Sequence, residues 1–172
     1  MGMTPVHFFD SFVEGNLTDC HEAPGDIRRA FNAAVSASHF ADQYFIYNKR
    51  HYPHLVSSYN TLGQFIETLE RLTDGGFRDI RSISNAYKHL YTNNDKKKAA
   101  HSSINSSGVI ESIQLSDVED IKCIEEEYLE NKESERSIYQ VIFTRKDGSI
   151  SIFLPVLEKV VKHFRTMLYE IA

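Results

Sequence analysis

The sequence predicts an α+β fold: a helical bundle of four to five helices, with a three- to four-stranded antiparallel β meander inserted before the C-terminal helix. Three observations predict it. Apolar residues recur at helical intervals from Thr4 to about Thr92. The stretch SIYQVIFTRKDGSISIFLP then sets two β-prone runs on either side of Asp147-Gly148, a hairpin signature. After Pro155 the helical spacing returns. The 172 residues are enough for one domain with a well-buried core, read here as 1–172. Its helical part covers 4–93 plus 155–172, and its β meander covers 108–154.

Thr4-Pro5 opens the first helix as a cap followed by a first-turn proline, and Val6, Phe9, Val13 and Leu17 carry it to Thr18 before HEAPGD breaks it. From Asp26 to about Asn48, Ile27, Phe31, Ala34, Ser38, Ala41 and Phe45 line one stripe. KRHYPHLVSSYN reads as a loop, since Pro53 cannot continue a helix. Leu62, Phe65, Ile66, Leu69 and Leu72 make a third helix that ends at Asp74-Gly75-Gly76, where glycine takes a left-handed turn. The next helix is FRDIRSISNAYKHLY, residues 77–91, followed by a polar Ser/Asn-rich loop. VIESIQL is a strand. SDVEDIKCIEEEYLE has both a capping box, Ser116 with Glu119, and strand alternation; strand is chosen because the hairpin needs a neighbour. A tight type I′ turn at Asp147-Gly148 would set Phe143 opposite Ile152 and Val141 opposite Leu154. Tyr139, Val141, Phe143, Ile150, Ile152 and Leu154 would then share one packed face. The last helix presents Val156, Val160, Phe164, Met167, Leu168 and Ile171.

Composition narrows the function classes. A net charge of −5 argues against a protein that coats a nucleic-acid backbone, and the Lys96–Lys98 run reads as a solvated loop. Cys20 and Cys123 lie far apart with no metal-ligand spacing, which fits reduced thiols in a cytoplasmic protein. Neither a signal peptide nor an 18-residue apolar span is legible, so no membrane partner is expected.

One helix carries an unusual polar stripe. On a wheel at about 100° per residue, Arg78, Arg81, Ser82, Asn85, Lys88 and His89 gather within roughly 120°. Phe77, Ile80, Ile83, Ser84, Tyr87, Leu90 and Tyr91 fill the other side. Such a stripe can simply face water. The preceding long helix points elsewhere, because Asp42 stands inside its apolar stripe and His39 at the edge of it. A carboxylate among aromatics is costly unless paired, and an arginine or histidine of the 78–89 stripe is the nearest partner in sequence. The contact would either hold two helices in register or let Asp42 orient His89 for proton or ligand work.

IRSISNAYKH, with SASHFADQYF before it, resembles bacterial helical proteins that carry an Asn-Ala-x-Lys-His string. It is also similar to the HEPN (higher eukaryotes and prokaryotes nucleotide-binding) helical-bundle superfamily over roughly residues 26–92. That superfamily places four to six residues between an arginine and a histidine on one late helix; here Arg81 and His89 have seven between them. The resemblance implies an RNA- or partner-binding domain of a defence or toxin–antitoxin system, working as a homodimer. The alternatives it leaves are a metal-independent endoribonuclease and a purely structural interaction domain. In the ribonuclease, Arg81 would stabilise phosphate charge, His89 would handle protons, and Asn85 and Asp42 would orient; Arg78, Lys88 and His39 complete the candidate set. The abundance of aromatics also favours a dimer. No cofactor signature is present. His51 with His54, given further ligands from elsewhere, or His39 with Asp42 and His89 could form a metal set, but neither has a recognised ligand spacing, so no metal is assigned.

Overall fold

The computed structural model describes residues 3–88, 101–114 and 139–169. Within them, four helices precede a three-stranded antiparallel sheet and a fifth follows it. Helix α1 is a continuous run made of Pro5–Phe8, a π-helical stretch Phe9–Glu14, and Gly15–Glu22. The Thr4 hydroxyl caps it, accepting the His7 amide at 3.2 Å. The helix outlasts the expected end at Thr18 and stops just before Ala23, which the following Pro24 steers away from helical geometry.

Helix α2, Ile27–His51, is the centre of the bundle and packs against all four other helices. The Asp26 carboxylate caps it through the Arg28 and Arg29 amides, which hold its pKa below the usual range. Buried Ala30, Ala33, Ala34, Ala37 and Ala41 give α2 narrow sides, so several helices approach it closely. The predicted loop begins later than expected, at Tyr52, and contains a 3₁₀ turn at Pro53–Val56. Helix α3 spans Leu62–Leu72 and α4 spans Gly76–Lys88. Between them Gly75 N donates to Glu70 O and Asp74 N to Arg71 O, the paired bonds of a Schellman motif. The first left-handed residue there is Asp74, at φ 50°, with Gly75 following at 84°. Leu72 and Tyr87, expected on apolar faces, are exposed.

The sheet runs in the order β1 (Ile110–Gln114), β2 (Tyr139–Thr144), β3 (Ile150–Ile152), and α5 spans Phe153–Tyr169. The hairpin exists, but its register differs by one residue from the predicted one. Ile142 stands opposite Ile152 and Phe143 opposite Ser151. The reason lies in the turn. A type I′ turn needs both central residues at positive φ, whereas only Gly148 is left-handed, at φ 87°. Instead, Arg145 N donates to Ser149 O, and Gly148 N to Arg145 O, closing a three-residue loop with a left-handed glycine at its end.

One residue of shift turns every following side chain over. Val141 and Phe143 join the main core, while Ile152 packs with Ile142 in a small cluster on the other side, alongside Ile113 and Ile150. Tyr139 is exposed, and Leu154 belongs to α5. The core is built largely from single rings, with Phe9, Phe40, Phe77, Phe143, Phe153 and Phe164 fully buried. Phe40 and Phe164 meet at 4.6 Å between centroids. The 116–130 segment, His89, Lys96–Lys98, Cys123 and Ile171 lie outside the described residues. Among the described residues no helix is long and apolar enough to cross a membrane.

Candidate functional site

Helices α2 and α4 run antiparallel, since Phe31 meets Tyr87 while Asp42 meets Arg81. The polar stripe of α4 opens along this seam. Arg81 Nη1 donates to Asp42 Oδ1 at 3.0 Å, and the two side chains keep 30% and 34% of their surface in water. The pair therefore sits at the margin of the apolar stripe of α2 and not inside it. The Arg81 guanidinium also lies 6.0 Å from the Phe77 ring centroid, a contact that restricts its swing.

One turn back on α4, Arg78 turns toward α3. Its Nε and Nη2 both reach Glu70 Oε2, at 3.0 and 2.9 Å. Asn85 is exposed on the same stripe. Tyr87, on the opposite flank of α4, is 56% exposed, its ring 5.0 Å from that of Phe31. His39 is half-buried on α2. Lys88 ends α4, and His89 lies beyond the described residues.

Ser82 does not belong to the exposed stripe. It is buried, its hydroxyl donating to Arg78 O at 2.7 Å and accepting Ser103 N at 2.9 Å. Asp42, Arg81 and Asn85 thus share one solvent-facing seam, whereas Arg78 faces α3 and Ser82 faces inward.

Sequence reasoning missed a second Asp–Arg pair. Asp79 on α4 is 3% exposed and takes Arg145 Nε on both carboxylate oxygens, at 3.1 and 3.0 Å, with Nη2 on Oδ2 at 2.6 Å. Arg145 Nη1 continues to Ser149 Oγ at 3.2 Å and Ser151 Oγ at 2.9 Å. The guanidinium stands 5.0 Å from the Phe143 ring centroid. This network ties the hairpin turn to α4, helped by Lys146 N on Ser103 O. A signal for it was present. Asp79 shares a helical face with Ile83 and Ala86, four and seven residues on, so it is as misplaced among apolar neighbours as Asp42.

Among the described residues no three His, Cys, Asp or Glu side chains stand together as a metal set. Compared with protein-family models, curated proteins and solved structures, the chain finds no significant match.

Proposed function

We propose that the chain is a HEPN-like interaction domain that binds a protein partner along the α2–α4 seam, the first such partner being a second copy of itself. In this reading it does not cleave RNA. The observation that carries it is the Asp42–Arg81 ion pair. A ribonuclease arginine must be free to meet the charge that builds on phosphate, and here the guanidinium is already neutralised by a carboxylate of the same chain. Arg78 is likewise held, by Glu70. A net charge of −5 adds a long-range cost to approaching a phosphate backbone.

The seam has what a protein contact uses. Tyr87 presents an exposed ring backed by Phe31, and Asn85, on the other flank of α4 beside Arg81, presents an exposed carboxamide. Placement in a defence or toxin–antitoxin system follows from the resemblance of residues 26–92.

Two measurements test the proposal together. Light scattering at micromolar concentration should give a particle of twice 19.8 kDa, and Tyr87→Glu should return it to 19.8 kDa. Incubation with single-stranded RNA in EDTA should leave the RNA intact. Metal-independent cleavage that disappears in His89→Ala would replace this reading with the nuclease one. A wild-type particle that stays at 19.8 kDa would remove the second copy as partner.

A further inference from the structure

A cleft of about 360 Å³ lies at the opposite end of α2 from its Asp26 cap, between the start of α1, the Tyr52–Leu55 loop and the end of α5. Tyr44, Tyr47, Asn48, Tyr52, Leu55 and Met167 are among its lining residues. None of the polar seam residues reaches it. Three tyrosines stand among otherwise mostly aliphatic walls, and the tyrosine rings are fixed from behind. Tyr44 packs against Phe40 and Phe65, at 5.9 Å from each, and the Tyr44 and Phe65 rings lie within 14° of parallel. Tyr47 packs on His51 at 4.5 Å and on Tyr52 at 6.2 Å. Burial pushes the Tyr44 phenol above its ordinary pKa, with Tyr59 adding to the shift, so this wall stays a neutral hydroxyl at physiological pH.

Asn48 is the unusual member. The residue is 4% exposed, yet its carboxamide has no hydrogen-bond partner among the side-chain bonds of the described residues. Its backbone carbonyl is used, accepting Tyr52 N at 2.8 Å, so only the side chain is left unspent. A carboxamide that takes no side-chain partner from its own chain is left to solvent or to a ligand. It offers one acceptor and two donors in a plane.

We infer that this cleft is a binding site for a planar aromatic small molecule bearing an adjacent donor and acceptor, such as an aromatic amide or lactam. Its ring would lie between the tyrosine walls and its polar edge would pair with Asn48 in a two-bond contact. The size fits the lower end of small-molecule pockets, roughly 300–1,000 Å³, with largely apolar walls and a few polar groups, of which Asn48 is the one carboxamide. The seam proposed above plays no part in this site.

Three probes separate the elements of the inference. Benzamide carries both ring and amide, cyclohexanecarboxamide keeps the amide on a saturated ring, and ethylbenzene keeps the ring alone. NMR titration of the full chain should show saturable shifts for benzamide at Tyr47, Asn48, Leu55 and Met167. The other two probes should bind about 10-fold more weakly or worse, the scale of one well-made hydrogen bond or aromatic contact. Asn48→Ala should weaken benzamide about 10-fold while leaving ethylbenzene unchanged. Val6→Trp, at an exposed position on the rim, should block every probe without requiring a core change. Equal affinity for benzamide and its saturated analogue, unchanged binding in Asn48→Ala, or no shifts at these residues up to the solubility limit would overturn the site.

Discussion

Two Asp–Arg pairs on one helix obey different physics. Asp42–Arg81 joins α2 to α4 through a single bond, with about a third of each side chain in water. Asp79–Arg145 joins α4 to the hairpin turn through a two-oxygen contact, with the Asp79 side chain 4% exposed. In the first, water competes with the partner, so the net attraction is small and salt-dependent. In the second, the Asp79 carboxylate has given up nearly all its hydration and depends on Arg145 for compensation, although the Arg145 side chain keeps 26% of its surface in water. Their kinship in residue type hides the difference; burial and bond count reveal it. The first pair is placed where it can be reached by a partner. The second fixes how a loop sits on a helix.

The largest expected effect tests the buried pair. Asp79→Ala leaves the Arg145 guanidinium without its carboxylate and should lower stability by about 3–5 kcal/mol in urea unfolding. Replacing both members, Asp79→Leu with Arg145→Met, should recover much of that loss, because no charge is then stranded. A double variant as unstable as Asp79→Ala would mean that packing around the network, and not the orphaned charge, sets the cost.

The fold class was legible because it rests on periodicity, which each segment carries in itself. The stripes from Ile27 to Phe45 and from Leu62 to Leu69 needed no knowledge of distant residues. Hairpin register is different. It hinges on how many turn residues take positive φ, and Asp147-Gly148 is compatible with two turns that differ by one residue. The Asp42 side of the site was legible from a carboxylate placed next to Ala41 and Phe45. Its partner could be narrowed only to a stripe, since spacing on one helix does not say which neighbour it faces. Arg145 was invisible for a plainer reason: its partner Asp79 is 66 positions away, and a lone arginine beside a turn ordinarily faces water.

Next in size, Ser151→Ala should cost about 1–2 kcal/mol, because Arg145 Nη1 loses its shorter hydroxyl acceptor in a buried setting. The type I′ register would put Ser151 on the outer face and make the substitution silent. A Tm equal to wild type would therefore restore that register and detach Ser151 from the network. Gly148→Ala belongs with it, at about 1–2 kcal/mol, since alanine is strained at φ 87°. It should leave the Asp79–Arg145 distances as they are.

Asp42→Ala should cost about 1 kcal/mol or less, in keeping with a pair that keeps about a third of each side chain in water. The difference from wild type should shrink in 1 M salt, where the Debye length falls to about 3 Å. A loss approaching that of Asp79→Ala would show that the seam is sealed in solution, as it would be when a second copy covers it. Repeating the unfolding at a protein concentration below the dimer midpoint distinguishes that case.

Arg78→Ala should be the smallest effect, about 0.5 kcal/mol or less. The reasoning sharpens the comparison because this third pair mixes the features of the other two. Like the buried pair it uses two guanidinium nitrogens, but both fall on one oxygen, Glu70 Oε2, and leave the other carboxylate oxygen uninvolved. Like the seam pair it borders water, and more so, since the Arg78 side chain is 54% exposed while Glu70 is 17% exposed. If exposure of the cation governs the outcome, solvent replaces the lost guanidinium and little changes. If exposure of the anion governs it, the stranded Glu70 should cost nearer to 2 kcal/mol, and Glu70→Gln in the same background should restore the loss. A double-mutant cycle over Arg78→Ala and Glu70→Gln, measured by urea unfolding at low salt and at 1 M salt, separates the two. A coupling below about 0.5 kcal/mol that vanishes in 1 M salt places Arg78 with Arg81, as one half of a solvent-bordered ion pair. A larger coupling that survives the salt places it with Arg145, as part of the scaffold, and leaves Asn85 and Tyr87 as the seam's working contacts.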